Sequence, residues 1–234
     1  MLSKSKAIVL STTKYLGNML LVKLYTEKSG QQSFIIRNEK KKRNVFMPFS
    51  VLEIDYDEKE NRSLHKLKET NQAFQLKTVY LFPDKSAIVL FMAELVAKVV
   101  KEEEGNPELF QFLEESILKL DSSAVNSETF HLFFILGLSR HTGFYPSGYY
   151  SPQASFFDLR EGKFSSFPPP HPFYLEGENA AALGDLKLAY ESGKESFSIK
   201  SAYRRALLSS FVDYFRLHLP GMTEMKSHLV LQEI

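Results

Sequence analysis

The chain begins with two β-rich runs, Lys6-Ala-Ile-Val-Leu-Ser-Thr-Thr13 and Asn18-Met-Leu-Leu-Val-Lys-Leu-Tyr25, and after the turn Ser29-Gly30 continues into a third, Gln32-Ser-Phe-Ile-Ile-Arg37. Further along, Val51-Leu-Glu-Ile-Asp-Tyr-Asp57 alternates apolar and polar residues, and Leu64-His-Lys-Leu-Lys-Glu-Thr70 supplies a fifth strand. Five short strands within about 80 residues fit a small β-barrel.

The pattern changes from strands to helices at Pro83-Asp84, where Asp84 is predicted to cap the first helix. Asn106-Pro107 combines an N-cap residue with Pro at the first helical position, and so predicts the start of a second. Apolar spacing predicts helices over 84–105, 107–121, 130–141, 179–190 and 201–219, and a short one after 223. The third is apolar nearly all round, so we expect it at the centre of the core.

The segment from Gly143 to Pro172 is irregular and dense in Gly, Pro and aromatic residues. Within it, residues 155–165 predict a β-hairpin that turns at Arg160-Glu-Gly162. The sequence therefore predicts an α+β protein of two domains: a β-barrel over 1–80, and a mainly helical domain over 81–234 with a small hairpin insertion at about 143–175.

Composition limits the class of protein. With 234 residues, 44% of them hydrophobic and 24% charged, the chain is typical of a globular protein. The absence of cysteine excludes disulfides, cysteine nucleophiles and thiolate metal sites. No apolar run has the length of a membrane helix or the pattern of a signal peptide, so we expect a cytoplasmic protein without a membrane partner.

The net charge of +1 conceals an asymmetry along the chain. Residues 1–80 hold 15 Lys and Arg against 8 Asp and Glu, whereas residues 81–234 hold 14 against 20. A basic half favours binding of a polyanion, because neutralising phosphates releases condensed counterions.

The densest basic stretch is Arg37-Asn-Glu-Lys-Lys-Lys-Arg43, between the third and fourth predicted strands. Cations beside the aromatic rings of Phe34 and Phe46 are what an oligonucleotide site needs, although a solvated loop has the same composition. Tyr15 and Tyr25 are candidate stacking platforms or packing residues. The candidate DNA-binding residues are Lys6, Lys14, Tyr15, Lys23, Arg37, Lys40, Lys41, Lys42, Arg43 and Phe46.

Signals for catalysis are weak. His131 and His141 are not spaced for a metal pair, the other histidines are scattered, and no phosphate-binding loop or nucleophile motif is found. On the later helices, Arg140, Arg204 and Arg205 could receive the acidic tail of a partner, with Leu207 and Leu208 as apolar neighbours. They could equally be surface arginines.

Two separate parts of the sequence resemble the RecO family of bacterial recombination mediators. The first is Ala7 to Asn18, followed by Leu21 to Gly30 and the basic loop. The second is Leu132-Phe-Phe-Ile-Leu-Gly-Leu-Ser-Arg-His-Thr-Gly-Phe-Tyr-Pro146, then residues 156–164, Arg204-Arg205 and Met225-Lys-Ser227. The resemblance spans most of the chain.

The resemblance implies an N-terminal OB-fold, single-strand DNA binding and annealing, and loading of RecA together with RecR and single-stranded DNA-binding protein (SSB). It adds Lys226 to the candidate partner-binding arginines and implies no catalysis. Many family members carry four zinc-binding cysteines around the hairpin; the corresponding positions here lie among Tyr149, Tyr150, Ser151 and 168–172. We therefore expect no cofactor, and aromatic and proline packing in place of zinc.

Two other functions fit a basic barrel joined to an acidic helical body. An RNA-binding or ribosome-associated OB-fold protein needs the same cations and rings. A protein-protein adaptor without nucleic-acid affinity would use the basic loop only for solvation.

Overall fold

The computed structural model describes residues 2–39, 44–57, 64–101, 104–122, 127–194 and 197–233. The chain forms two compact units, Met1–Ser123 and Ala124–Ile234. The first contains the five predicted strands and the first two predicted helices, so the helical region divides between the units. The domain boundary between residues 80 and 81 stays a prediction.

Five strands close into a barrel in the order β1-β2-β3-β5-β4, which is the predicted architecture. They are β1 (Leu2–Lys14), β2 (Met19–Thr26), β3 (Gly30–Arg37), β4 (Val51–Asp57) and β5 (His65–Gln72). All pairs are antiparallel except β3 and β5, which run parallel through Phe34 and Ile35. A bulge between Val9 and Ser11 bends β1, so that its first half pairs with β4 and its second half with β2.

The barrel interior follows from the alternation of each strand. On β2, Leu20, Val22 and Leu24 point inward and are buried, whereas Met19, Leu21 and Lys23 point outward and are half-buried. The interior core is completed by Ala7, Val9, Phe34, Phe46, Leu52, Ile54 and Tyr56.

Two helices belong to the first unit, α1 (Pro83–Val99) and α2 (Pro107–Asp121). The Asn106 cap is confirmed, since its side-chain oxygen accepts from the backbone N–H of Leu109 at 3.0 Å. The predicted Asp84 cap is wrong. Helix α1 begins at Pro83, whose fixed φ suits the first turn, with Phe82 at the N-cap and Asp84 already inside the helix. The helix also ends at Val99, short of Gly105.

Both helices contact the outside of the barrel: α1 packs on β1, and α2 contacts Tyr25 and Lys6. The outward ring of Tyr25 is fully buried and stacks on Phe110 at 6.3 Å between centroids. Lys6 donates to Glu114 at 2.9 Å. Between the helices, Gly105 approaches the β2–β3 turn so closely that a Cβ there would collide with the carbonyl oxygen of Lys28. Only glycine fits this approach.

The end of α2 is joined to the segment before α1 by buried and half-buried polar groups. The Asp121 carboxylate accepts backbone N–H bonds from Lys77, Thr78 and Val79 at 2.6–3.0 Å. The Lys85 ammonium, on a buried side chain, donates to the carbonyl oxygens of Leu120 at 2.7 Å and Ser122 at 2.8 Å. These bonds satisfy helix-end carbonyls that lack intrahelical partners.

The second unit is built around α3 (Ser127–His141), which is buried on most sides as predicted. It contacts α4 (Gly177–Glu191) and α5 (Ser201–His218); α6 (Ser227–Glu233) packs on α5, and a small sheet in the order β7-β6-β8 packs on α4 through β6. The predicted hairpin is β6 (Phe156–Asp158) and β7 (Lys163–Ser165), and β8 (Tyr174–Leu175) is an unpredicted third strand. In the described part of the chain, no helix has the length and apolarity needed to cross a membrane.

We predict that Asp121→Asn lowers the free energy of unfolding by roughly 1–3 kcal/mol at neutral pH, because charge-assisted bonds to three N–H groups are weakened. Desolvation raises the pKa of Asp121, but the backbone N–H bonds from Lys77, Thr78 and Val79 outweigh it and hold the pKa below its ordinary value of 3.8. The stabilisation is therefore present in full above about pH 4 and is lost as the pH falls through the folded-state pKa.

Urea titrations at neutral and acid pH measure this effect. Asp55→Asn is the control, since within the described ranges Asp55 pairs only with Lys4, at 3.1 Å, and a pair with a largely exposed lysine contributes at most about 1 kcal/mol. Equal stability of the Asp121→Asn variant and the wild type at neutral pH would contradict the prediction.

Candidate nucleic-acid interface

Strands β2 and β3 form a further part of the outer barrel surface. Strand register places outward residues directly opposite one another: Lys23 opposite Ser33, Leu21 opposite Ile35, and Met19 opposite Arg37. Side chains opposite each other on one face stand about 4.5–5.5 Å apart at Cβ. The result is a half-exposed strip of apolar side chains with a cation at each end, about 13 Å apart along the strand at a rise of about 3.3 Å per residue.

The basic residues of the barrel fall into two groups by their partners. On the β1–β4 side, Lys4 pairs with Asp55 at 3.1 Å, and nearby on β5 Lys68 pairs with Asp57 at 3.0 Å. Lys6 pairs with Glu114 of α2 at 2.9 Å. The hydrogen bond to Glu114 raises the pKa of Lys6 against the opposing effect of burial. The charges on this side are largely neutralised within the protein.

The cations on the β2–β3 side differ from these. Among the described residues, no ion pair involves Lys14, Lys23 or Arg37. Lys14 and Arg37 are exposed, and Lys23 is half-buried beside Leu21. We call the surface formed by Met19, Leu21, Lys23, Ser33, Ile35 and Arg37 the strand face; its two cations are available to a ligand.

The aromatic residues that the sequence suggested for base contacts divide into exposed and buried ones. Tyr15 lies in the β1–β2 connection with 41% of its surface exposed. Phe46 is 4% exposed and belongs to the interior core, so its ring offers no face to solvent. Phe34 is likewise interior, and Tyr25 is covered by Phe110. Lys40, Lys41, Lys42 and Arg43 lie outside the described residues, and their assignment stays a prediction.

One candidate was missed from the sequence. Lys66 of β5 is exposed and lies next to Ile35 across the parallel β3–β5 pairing, which extends the strand face by one cation, although Asp57 stands opposite it on β4. The sequence does show two lysines at alternate positions, Lys66 and Lys68, on the fifth predicted strand. That pattern does not say which strand lies next to them, and only the strand order places Lys66 beside β3.

The candidate partner-binding residues of the second unit are not brought to one place. Arg204 pairs with Glu128 in the first turn of α3 at 3.4 Å, whereas Arg140 lies in the last turn, twelve residues or roughly 18 Å further along. Burial, with a smaller effect of the Arg204 charge, lowers the pKa of His131 to about 3. Arg205 and Lys226 are exposed, but Leu207 and Leu208 are buried and offer no apolar surface to a tail.

Comparison with known proteins identifies the family. Residues 1–74 match the family model for the recombination protein O N terminal region, and residues 83–227 match that for its C terminal region. The chain belongs to the RecO family. The DNA repair protein RecO of Bacteroides fragilis is 34% identical over 241 residues, covering 100% of this chain and 99% of that protein. The DNA repair protein RecO of Phocaeicola vulgatus is 33% identical, covering 100% of this chain and 99% of that protein. That of Flavobacterium johnsoniae is 31% identical, covering 99% of this chain and 98% of that protein.

The zinc ion that the family resemblance implies does not fit the residues near the hairpin. The chain has no cysteine. His171 approaches Asp158 at 3.4 Å, but Asp158 already accepts the backbone N–H groups of Arg160 and Glu161. Within the described ranges, no three His, Asp or Glu residues are grouped so that they could hold a metal.

A buried lysine of α4, enclosed by two tyrosine rings and a carboxylate, connects this helix to the insertion at 143–175. Lys187, with 4% of its side chain exposed, pairs with Glu191 at 2.9 Å. Its ammonium lies 3.8 Å from the ring centre of Tyr149 and 5.5 Å from that of Tyr145. The Tyr145 hydroxyl donates to Glu191 at 3.2 Å. Burial opposes ionisation of Glu191, but Lys187 and the two tyrosines hold its pKa below the ordinary value.

We predict that this cage stabilises the insertion without metal. Lys187→Met should lower the free energy of unfolding by roughly 1–3 kcal/mol, since Glu191 and both rings lose a buried partner. Lys163→Met, which removes the exposed pair with Glu161, is the matched control in the same insertion and should change little.

Thermal melts of the wild type with and without EDTA complete the test. We expect the same melting temperature in both, and a fall on chelation would contradict the metal-free cage.

Proposed function

We propose that this protein acts in DNA repair and recombination as a mediator that binds single-stranded DNA on its strand face. The main observation behind this proposal is that Lys23 and Arg37 have no acidic partner among the described residues. The lysines at positions 4, 6 and 68 are each paired with a carboxylate. Membership of a family whose relatives are named DNA repair proteins supports the same role. The proposal includes annealing of complementary strands and loading of RecA.

The strand face suits a single strand better than a duplex. Lys23 and Arg37, with Lys14 and Lys66 beside them, are suited to phosphates, and the apolar strip of Met19, Leu21 and Ile35 between them is suited to the faces of bases. In a duplex those faces are occupied by stacking. OB-fold barrels bind oligonucleotides on this same surface of strands 2 and 3.

The proposed activity is binding rather than catalysis. Its partners on this proposal are single-stranded DNA, RecR and the acidic C-terminal tail of SSB. Acting on chromosomal DNA, it would work in the cytoplasm at the nucleoid. For the tail, Arg205 is the best-placed candidate on α5, because it is exposed and, among the described residues, bonds only Ser201 of its own helix, at 3.1 Å.

The first test compares two variants that lose the same charge. Lys23→Ala with Arg37→Ala should weaken oligo-dT binding and make its salt dependence shallower, by about 0.7 in the logarithmic slope for each phosphate that is no longer neutralised. Lys4→Ala with Lys68→Ala removes two cations that are already paired, and should leave both affinity and slope near those of the wild type. Fluorescence anisotropy at several salt concentrations measures both quantities.

Three results of this test would overturn the proposal or relocate the site. Salt-insensitive or absent binding by the wild type would reject single-strand binding and favour the adaptor. Equal losses in both double variants would mean that net charge, and not the strand face, governs affinity. Tighter binding of an RNA oligomer than of DNA would favour the RNA-binding alternative.

A second prediction concerns the tail. Arg205→Ala should weaken binding of an acidic C-terminal SSB peptide by about 2- to 5-fold, because an exposed ion pair contributes up to about 1 kcal/mol. Arg216→Ala, on the same helix but already 3.7 Å from Asp213, is the control. Calorimetric titration of the peptide distinguishes them, and unchanged affinity for both would remove α5 from the proposed interface.

A further inference from the structure

The connection between β1 and β2 carries exposed apolar side chains at its end. We call residues Lys14–Asn18 the tip. Leu16 is 76% exposed and Tyr15 41% exposed. Gly17 has φ +59°, and a Cβ built there would meet nothing within 4 Å, so the tip extends into open space. A leucine this exposed contributes no core packing.

Backbone hydrogen bonds hold the tip in place. The Tyr15 N–H donates to the Met19 carbonyl at 2.9 Å and closes the turn, and the Asn38 N–H donates to the Asn18 carbonyl at 3.0 Å. The β1–β2 pairing continues to Lys14 and Leu20 immediately below. Because the turn is already ordered, little conformational entropy is lost when Tyr15 and Leu16 meet a ligand.

One cation stands at each end of the tip. Lys14 begins the tip and is exposed, and Arg37 stands opposite Met19, where the tip ends and β2 begins. Neither Lys14 nor Arg37 forms an ion pair within the described ranges. An apolar projection between cations is complementary to a ligand that has apolar faces along an anionic backbone, which describes an unstacked nucleic-acid strand.

We propose that Tyr15 and Leu16 form a wedge that inserts between neighbouring bases of the bound strand, so that the protein recognises unstacked bases as well as phosphates. This rests on the proposed single-strand binding and deepens it. The wedge gives the site a preference for single strands, because inserting into a duplex requires separating stacked base pairs. The cations alone would bind any phosphate chain.

The experiment separates base contacts from phosphate contacts. The double variant Tyr15→Ser with Leu16→Ser is compared with the wild type on oligo-dT and on an abasic oligodeoxynucleotide of the same length. We expect roughly 5- to 150-fold weaker binding of oligo-dT, the range that stacking of one base on a side chain contributes, with an unchanged salt slope. Binding of the abasic strand and of a blunt duplex should not change.

Leu81→Ser is the control variant. Leu81 is 75% exposed, matching Leu16, and it lies before α1 and outside the strand face. It should bind oligo-dT as the wild type does, and thermal melts should be the same for all variants because the altered side chains are exposed.

The outcomes are distinguishable. Equal oligo-dT affinity of the wedge variant and the wild type would overturn the wedge, and so would an equal loss on the abasic strand or in Leu81→Ser. In each of these cases, salt-dependent binding of the abasic strand by the wild type would leave the proposed function standing. Absence of wild-type binding to every strand would overturn both proposals together.

Discussion

The bonds at the end of α2 fix the position of the helix that contacts Tyr25 and Lys6 on the outside of the barrel. Asp121 gathers three backbone N–H groups from the segment that leaves the barrel, and Lys85 closes the carbonyl end of the same helix. With the helix fixed there, Phe110 covers Tyr25 and Glu114 reaches Lys6. Tyr25 is thereby covered and Lys6 neutralised, whereas the side chains of the strand face are half-exposed or exposed.

Pairing, and not the number of basic residues, distinguishes the two sides of the barrel. Lysines at positions 4, 6 and 68 carry the same formal charge as Lys14 and Lys23, yet each of the first three has a carboxylate within about 3 Å. A polyanion would have to displace those carboxylates before binding there. Beside Lys23 and Arg37 it would meet cations without such competitors among the described residues, which concentrates the attraction on β2 and β3.

The strands and most helix limits could be predicted because they depend on local patterns. Alternation on β2 and the Asn106-Pro107 signal act within a few residues of where they are read. The candidate site depends on distant partners, and this is where sequence reasoning was incomplete. From the sequence, Phe46 was predicted to contact DNA beside a basic loop, but its ring packs in the barrel interior. Lys6 was predicted to contact DNA as well, but it is paired with Glu114, which lies 108 residues away in the sequence. Lys66 needs the parallel β3–β5 pairing, which no local pattern reveals. At α1, Asp84 looked like a cap because Pro83 was not recognised as the first helical residue.

The close approach at Gly105 has a consequence for how the barrel could be isolated as a fragment. The two family models meet between residues 74 and 83, which suggests a natural place to cut the chain. A fragment that ended there would keep all five strands but lose the helix that covers Tyr25 and the carboxylate that pairs with Lys6. It would expose a large ring on the outside of a small barrel, beside the β2–β3 turn that Gly105 now covers. Such a fragment would be prone to aggregate and more basic than the intact unit. Any DNA affinity measured on it would include contacts from surfaces that are buried or paired in the intact chain. A fragment that keeps the outer barrel surface of the intact chain therefore extends through the end of α2.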